Sequence, residues 1–362
     1  MINRRHFNTA LAAFGASTML TVNPGRAQNV QAVRLGNASG IIDAQLIFMT
    51  VGQHPELNFY RDEGVEMDIM NMTGAGQTLQ AVVNGHAETS AVSPVALLPV
   101  YANNPDLDIL FPYCWLRQPH WSVAVKPDSP LQSLEELRGK NIGIRNQGDT
   151  GYFGARAMLR EIGIDPDNDV EWTAISEGGP AGEAIYRERV DAMAFWDGGF
   201  ARVELAGFPL RHLPNSPGMQ QLFGNGYAVR RSTFADNRDV FTRFFRAMAK
   251  STVFAYAASE LSIRMHWDIY PESKPTGLSD EEALASALHI VNARRDKWLP
   301  GAWQQDRRFG AMSEEEWQAQ VRFAELEDQI TDVSPLFTTE ILDDVNDFDH
   351  DEVLAHVARL NG

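Results

Sequence analysis

The feature that most restricts how this chain can fold is a recurring change of hydrophobic period. A short apolar run at strand spacing gives way to a Gly-rich turn, and then to an apolar face at helical spacing. Residues 141–164 show the unit in full. Asn141-Ile142-Gly143-Ile144 reads as a strand and Gly148-Asp149-Thr150-Gly151 as the turn. Ala155, Met158, Leu159 and Ile162 then fall on one face of a helix. The unit recurs along the chain, with strands predicted at 32–35, 65–70, 87–92, 171–174 and 191–196. Such alternation builds α/β folds with largely parallel sheets. Two extended runs, 107–116 and 121–125, flank Arg117-Gln118-Pro119-His120. Beyond Tyr227-Ala228-Val229 long helices take over, at 240–258, 280–294 and 314–326.

A strand-to-helix turn leaves the first helical N–H groups without partners at the positive end of the macrodipole. A side chain can satisfy them, with Asp149 or Thr150 as the N-cap, or an anionic ligand can. Glycines at 148 and 151 would also let a ligand approach the backbone. Two familiar phosphate sites are excluded. No Lys-Ser/Thr closes the turn as a P-loop requires, and the glycine spacing is G-x-x-G-x-x-G rather than the dinucleotide fingerprint.

The chain of 362 residues is long enough for two domains. Its net charge of −17 disfavours nucleic acid or an anionic membrane as partner, but not a small anion in a local pocket. The N-terminus carries Arg4-Arg5-His6-Phe7, an apolar run from Thr9 to Val22, and Pro24-Gly25-Arg26-Ala27. This is the pattern of an export signal over residues 1–27, resembling a twin-arginine signal, so a periplasmic location is expected. The single cysteine, Cys114, excludes an internal disulfide and a thiolate metal cluster.

Three segments together resemble one family. They are "YRDEGVEMDI" with its Gly-rich turn and "LQAVVNGHAETS", then "SLEELRGKNIGIR" with "REIGIDPDNDVEW", and "IYRERVDAMAFWDGGFARVELAGF". These are similar to the periplasmic solute-binding proteins of ABC transporters, in the class that binds nitrate, taurine, sulfonates and thiamine-pyrimidine precursors. The resemblance implies a two-lobed clamshell of type II, each lobe a mostly parallel sheet flanked by helices. Lobe one would be residues 31–118 plus 222–362 and lobe two 119–221, with a hinge at the crossovers. It also implies capture of a small solute, by a monomer without cofactor or metal, for a membrane permease and its ATPase. The same resemblance leaves two alternatives, a ligand-presenting sensor subunit and an enzyme like the thiamine-pyrimidine synthases. Those synthases use pyridoxal phosphate and a cysteine-rich motif, which this chain does not carry.

In open α/β sheets ligands bind beyond the carboxyl ends of the strands. Candidate binding residues are therefore Ser39, Gly74, Gly76, Ser93, Trp115, Arg145, Asp149, Thr150, Gly151, Tyr152, Trp196 and Asp197. Aromatic rings at 115, 121, 152 and 196 suit a planar solute. Arg145 could hold a carboxylate or sulfonate bidentately. Asp197 and Glu177, if turned inward, argue against a doubly charged anion. His86, His120 and His212 share no metal-ligand spacing and are expected to be structural or superficial, and Cys114 to be inert within its strand.

Overall fold

The computed structural model describes residues 30–299, 301 and 306–361, so the expected export signal lies outside the described residues. Among the described residues, ten strands form two five-stranded sheets. The first contains β1 (Gln31–Asn37), β2 (Val65–Asn71), β3 (Thr89–Val92), β4 (Leu110–Leu116) and β10 (Asn225–Val229), in the order β2-β1-β3-β10-β4. The second contains β5 (Trp121–Val125), β6 (Asn141–Ile144), β7 (Glu171–Ala174), β8 (Ala192–Trp196) and β9 (Arg211–His212), in the order β7-β6-β8-β5-β9. The chain crosses from the first sheet to the second between β4 and β5, and returns between β9 and β10.

Each sheet is parallel where βα units repeat and antiparallel where a crossover strand enters it. β1 pairs in parallel with β2 and β3, and β6 with β7 and β8. β10 runs antiparallel to β3 and β4, and β5 antiparallel to β8 and β9. β4, β8 and β10 are buried along their whole length, as strands covered on both faces must be. That explains why β8 reads Ala-Met-Ala-Phe-Trp with no polar alternation.

The long C-terminal helices cover the first sheet. Arg238–Ala257 buries Phe241, Phe244, Phe245 and Met248 in the core that also holds Tyr113 and Tyr227, with the Tyr113 and Phe245 rings stacked at 4.8 Å. The helix Glu314–Phe323 serves both sheets. Trp317 and Val321 join the core beneath β4, whereas Ala319 and Phe323 join the core of the second sheet. Strand β4 starts at Leu110 rather than 107, because Asp108 is drawn off to hold the backbone N–H and hydroxyl of Ser232.

The glycines of the 148–154 turn have a packing role. A Cβ on Gly151 would stand 2.6 Å from the Ala194 carbonyl oxygen of β8, and one on Gly154 would stand 2.2 Å from the Trp121 ring. They let the helix Thr150–Glu161 lie directly on β8 and β5. Ligand access, the other role expected of them, is not what demands glycine at 151 and 154.

Candidate ligand-binding site

The carboxyl ends of β1 and β3 face those of β6 and β8, and a cavity of about 60 Å³ lies between them. From the first sheet the wall is built by Asn37, Ser39, Gln45, Phe48, Trp115, Asn225 and Tyr227, and from the second by His120, Arg145, Asp149, Thr150 and Trp196.

Asn37 organises the turn after β1. Its Nδ2 donates to the Ile41 carbonyl at 2.8 Å and to Asn71 Oδ1 at 2.9 Å, while its Oδ1 accepts from the Ser39 N–H and hydroxyl. The turn therefore presents the Ala38 and Ser39 carbonyls to the opposite sheet. Arg145 takes both, Nη1 donating to Ser39 O and Nη2 to Ala38 O, each at 3.0 Å. The same guanidinium pairs with Asp149 four residues on and lies over the face of Trp196 at 4.4 Å. Asp149 in turn accepts from the Gly151 N–H at 3.0 Å as the helix N-cap. So the capping reading of that turn holds, and Arg145 is committed to bridging the two sheets.

More contacts cross the cleft. Arg202 binds Asp43 at 2.6 Å, and the Gly76 N–H donates to Gly148 O at 3.2 Å. Asp197 opens the helix Asp197–Leu205 and is gripped from the other side by Arg294 (Nε to Oδ1, 3.0 Å) and Lys297 (2.8 Å). Burial alone would raise the Asp197 pKa, but these two cations outweigh it and hold the carboxyl well below the usual range. His120 stays neutral, its pKa brought down to about 3 by burial, with Arg294 adding to the effect.

Charge accounting around the cavity follows directly. Arg145 is matched by Asp149, Arg202 faces Asp43 and Glu177, and Arg294 and Lys297 together face Asp197, so four cations and four carboxylates balance around the cleft. With no net charge around it, the cavity would repay a multiply charged solute poorly. Phe48 stacks on Trp115 at 4.5 Å with the rings 3° apart, giving one flat aromatic wall. Among the described residues no group of three or more His, Cys, Asp or Glu side chains is placed to hold a metal.

The structure brings Ser39, Trp115, Arg145, Asp149, Thr150 and Trp196 to the cavity, and leaves the other candidates off its wall. Gly74 and Gly76 meet Gly148 across the cleft, where a Cβ on Gly74 would come 2.8 Å from a carbonyl oxygen. Ser93 is buried and donates to Gly224 O at 3.3 Å. Gly151 packs on β8. Tyr152 packs edge-on against Trp172 at 5.0 Å and accepts from Arg156, and Trp121 packs on Gly154 and Phe323. Glu177 is turned to Arg202 at 3.3 Å, and His86 and His212 are exposed. Gln45, Asn225, His120 and Arg294 were not foreseen as site residues. Gln45 follows an unremarkable loop and Arg294 lies just past the end of the helix Asp280–Asn292, so only the tertiary fold reveals them.

Residues 45–260 match the model of the family described as NMT1/THI5 like. The chain belongs to the NMT1/THI5-like family. No curated protein matches it. Among solved structures, this member of the family is similar to the alkanesulfonate-binding protein SsuA from Xanthomonas axonopodis pv. citri bound to MOPS. That match has 18% identity and TM-score 0.60, covering 87% of this chain and 97% of the other. The periplasmic aliphatic sulphonate binding protein SsuA from Escherichia coli also matches at 18% identity and TM-score 0.60, covering 83% and 92%. A cysteine-to-serine mutant of DszB in complex with biphenyl-2-sulfinic acid matches at 15% identity and TM-score 0.51, covering 91% and 100%. At these identities the likeness establishes the fold: the two-lobed α/β architecture of periplasmic binding proteins.

Proposed function

We propose that the protein is an exported solute-binding protein that closes two lobes on a small anionic solute with an aromatic body and delivers it to an ABC permease. The observation that carries this reading is the cavity between the carboxyl ends of two sheets, crossed on its rim by protein contacts. Lobe one is taken as residues 31–118 with 222–362, and lobe two as 119–221. The contacts of Arg145, Arg202 and Asp197 then run between lobes, and their exchange for water would open the clamshell by hinge motion.

Cys114 supports a binding role over thiol chemistry. It is buried in β4, its sulfur lies 3.4 Å from Asn225 O and 3.5 Å from Leu116 O, and burial pushes the thiol up to about 11.

A thermal-shift screen of residues 28–362 against aromatic carboxylates, arylsulfonates, taurine, alkanesulfonates, nitrate and pyrimidines tests the reading. A ligand present at about 100 times its dissociation constant stabilises the folded state by about 2.7 kcal/mol. A shift confined to one chemical group would name the solute class. No shift across the panel, with protein shown to be folded and free of co-purified ligand, would sink the small-anion reading.

A further inference from the structure

Gln45 lies on the short turn Ala44–Leu46 and is 1% exposed. Its direction is set by Asp43, whose Oδ1 accepts from the Gln45 N–H at 3.1 Å while its Oδ2 accepts from Arg202 across the cleft at 2.6 Å. The side chain thereby reaches the opposite sheet's helix Asp197–Leu205, and a Cβ on Gly198 would lie 2.8 Å from Gln45 Oε1. Yet neither Oε1 nor Nε2 has a hydrogen-bond partner. A buried amide with both ends unpaired is unusual and costly, and it demands an explanation.

Four more polar atoms on the same cavity wall are buried without partners: Trp115 Nε1, His120 Nδ1, Arg145 Nε and Asn225 Oδ1. The indole and guanidinium N–H groups can only donate, whereas the Asn225 amide and His120 Nδ1 can donate or accept according to amide orientation and tautomer. Gln45 contributes one donor and one acceptor whichever way its amide is turned. The wall is thus of mixed polarity. A bare sulfonate, carboxylate or nitrate carries acceptors alone. It could satisfy Arg145, Trp115 and one end of Gln45, but would leave the Gln45 oxygen unpaired.

The geometry points to a solute that carries, besides its anionic end, a neutral amide-like edge of one N–H donor beside one acceptor, read by Gln45. Carboxamides, ureido groups and amino-heteroaromatics all present that edge. This rests on the solute-binding reading above and narrows it: Gln45 becomes the residue that selects amide-bearing anions over simple ones. Sites built to pair a ligand N–H reject the analogue lacking it more strongly than apolar pockets reject a missing methylene.

Isothermal titration of the folded chain with two matched pairs tests the proposal: succinamate against levulinate, and terephthalamate against para-acetylbenzoate. In each pair a methyl replaces the amide NH2, and the charge and carbonyl stay. The amide member is expected to bind at least about tenfold tighter in one pair or both. Gln45→Met, which keeps the side-chain length, should bring that ratio close to one, weakening the amide more than the ketone, which loses only the bond to its carbonyl. In the ligand-free protein it should raise the melting temperature, because an unpaired amide is removed. Equal affinity within both pairs overturns the amide preference and leaves solute binding standing. A preference that persists in Gln45→Met overturns the role of Gln45. Binding of none of the four overturns the amide preference, while the solute-binding reading stands or falls on the thermal-shift panel.

Discussion

Arg145 was legible as a charged residue at a strand end, but its use was not. Sequence suggested a bidentate grip on a ligand, whereas the structure spends Nη1 and Nη2 on Ser39, Ala38 and Asp149, with only Nε left toward the cavity. The difference has a measurable consequence. Arg145 and Asp149 side chains are 6% and 4% exposed, so deleting one partner strands a buried charge. Arg145→Met should therefore destabilise the protein by roughly 3–5 kcal/mol. Adding Asp149→Asn should recover most of that loss, since Asn removes the stranded charge and still caps a helix. Urea unfolding of the two variants decides it. A double variant no more stable than the single one would show that the pair is not coupled as described. Gly154 gives a second expectation at this scale. Gly154→Ala forces a methyl into the Trp121 ring and should cost about 1–3 kcal/mol by overpacking, with a neutral result in the same assay counting against the packing role.

At the level of elements, the strands and helices of the βα units were readable because their signals are local. The period changes at each Gly-rich turn, and Ser279 and Ser313 stand three residues before Glu282 and Glu316 in true capping boxes. Pairing order was less readable, because the antiparallel entries of β5 and β10 depend on partners far away in sequence. The site was half-legible for the same reason. Residues that end strands were found, whereas Gln45, Asn225 and Arg294 enter the cavity through tertiary packing that no local pattern encodes. The helix Glu314–Phe323 illustrates the limit, since its amphipathic face predicts burial but not that it serves both cores. Ser313→Ala should cost about 1 kcal/mol through loss of the cap, visible as a lowered denaturation midpoint. Because Phe323 packs on Trp121 at 5.8 Å, fraying of this helix should also loosen the second sheet. Amide exchange that rises only around residues 314–323, and not along β5, would refute that link.

For the whole molecule, the electrostatics predict acid sensitivity with a definite sign. Burial lowers the pKa of His120 to about 3 and that of His266 to about 4, the latter with Nδ1 2.7 Å from the Thr50 hydroxyl. In the unfolded chain both titrate near 6.5. Between about pH 6.5 and the folded values the unfolded state therefore binds protons that the folded state does not. Stability must then fall as pH drops through that window, by up to about 1.4 kcal/mol per pH unit for each histidine fully in play. Asp197 acts lower down. Its folded pKa is depressed, so its contribution is complete above about 4 and is lost only as pH falls through the folded value. Denaturant melts from pH 7.5 to 4.5 should accordingly show a steep loss dominated by the histidines. His120→Asn and His266→Asn should each flatten the slope, and the pair together should flatten it most. His120 also lines the cavity, so its variant can alter solute affinity, whereas His266, outside that wall, reports on folding alone. A slope unchanged in both variants would mean that other groups carry the acid response, and that the neutral buried state of these two rings is not what holds the two-sheet structure together at physiological pH.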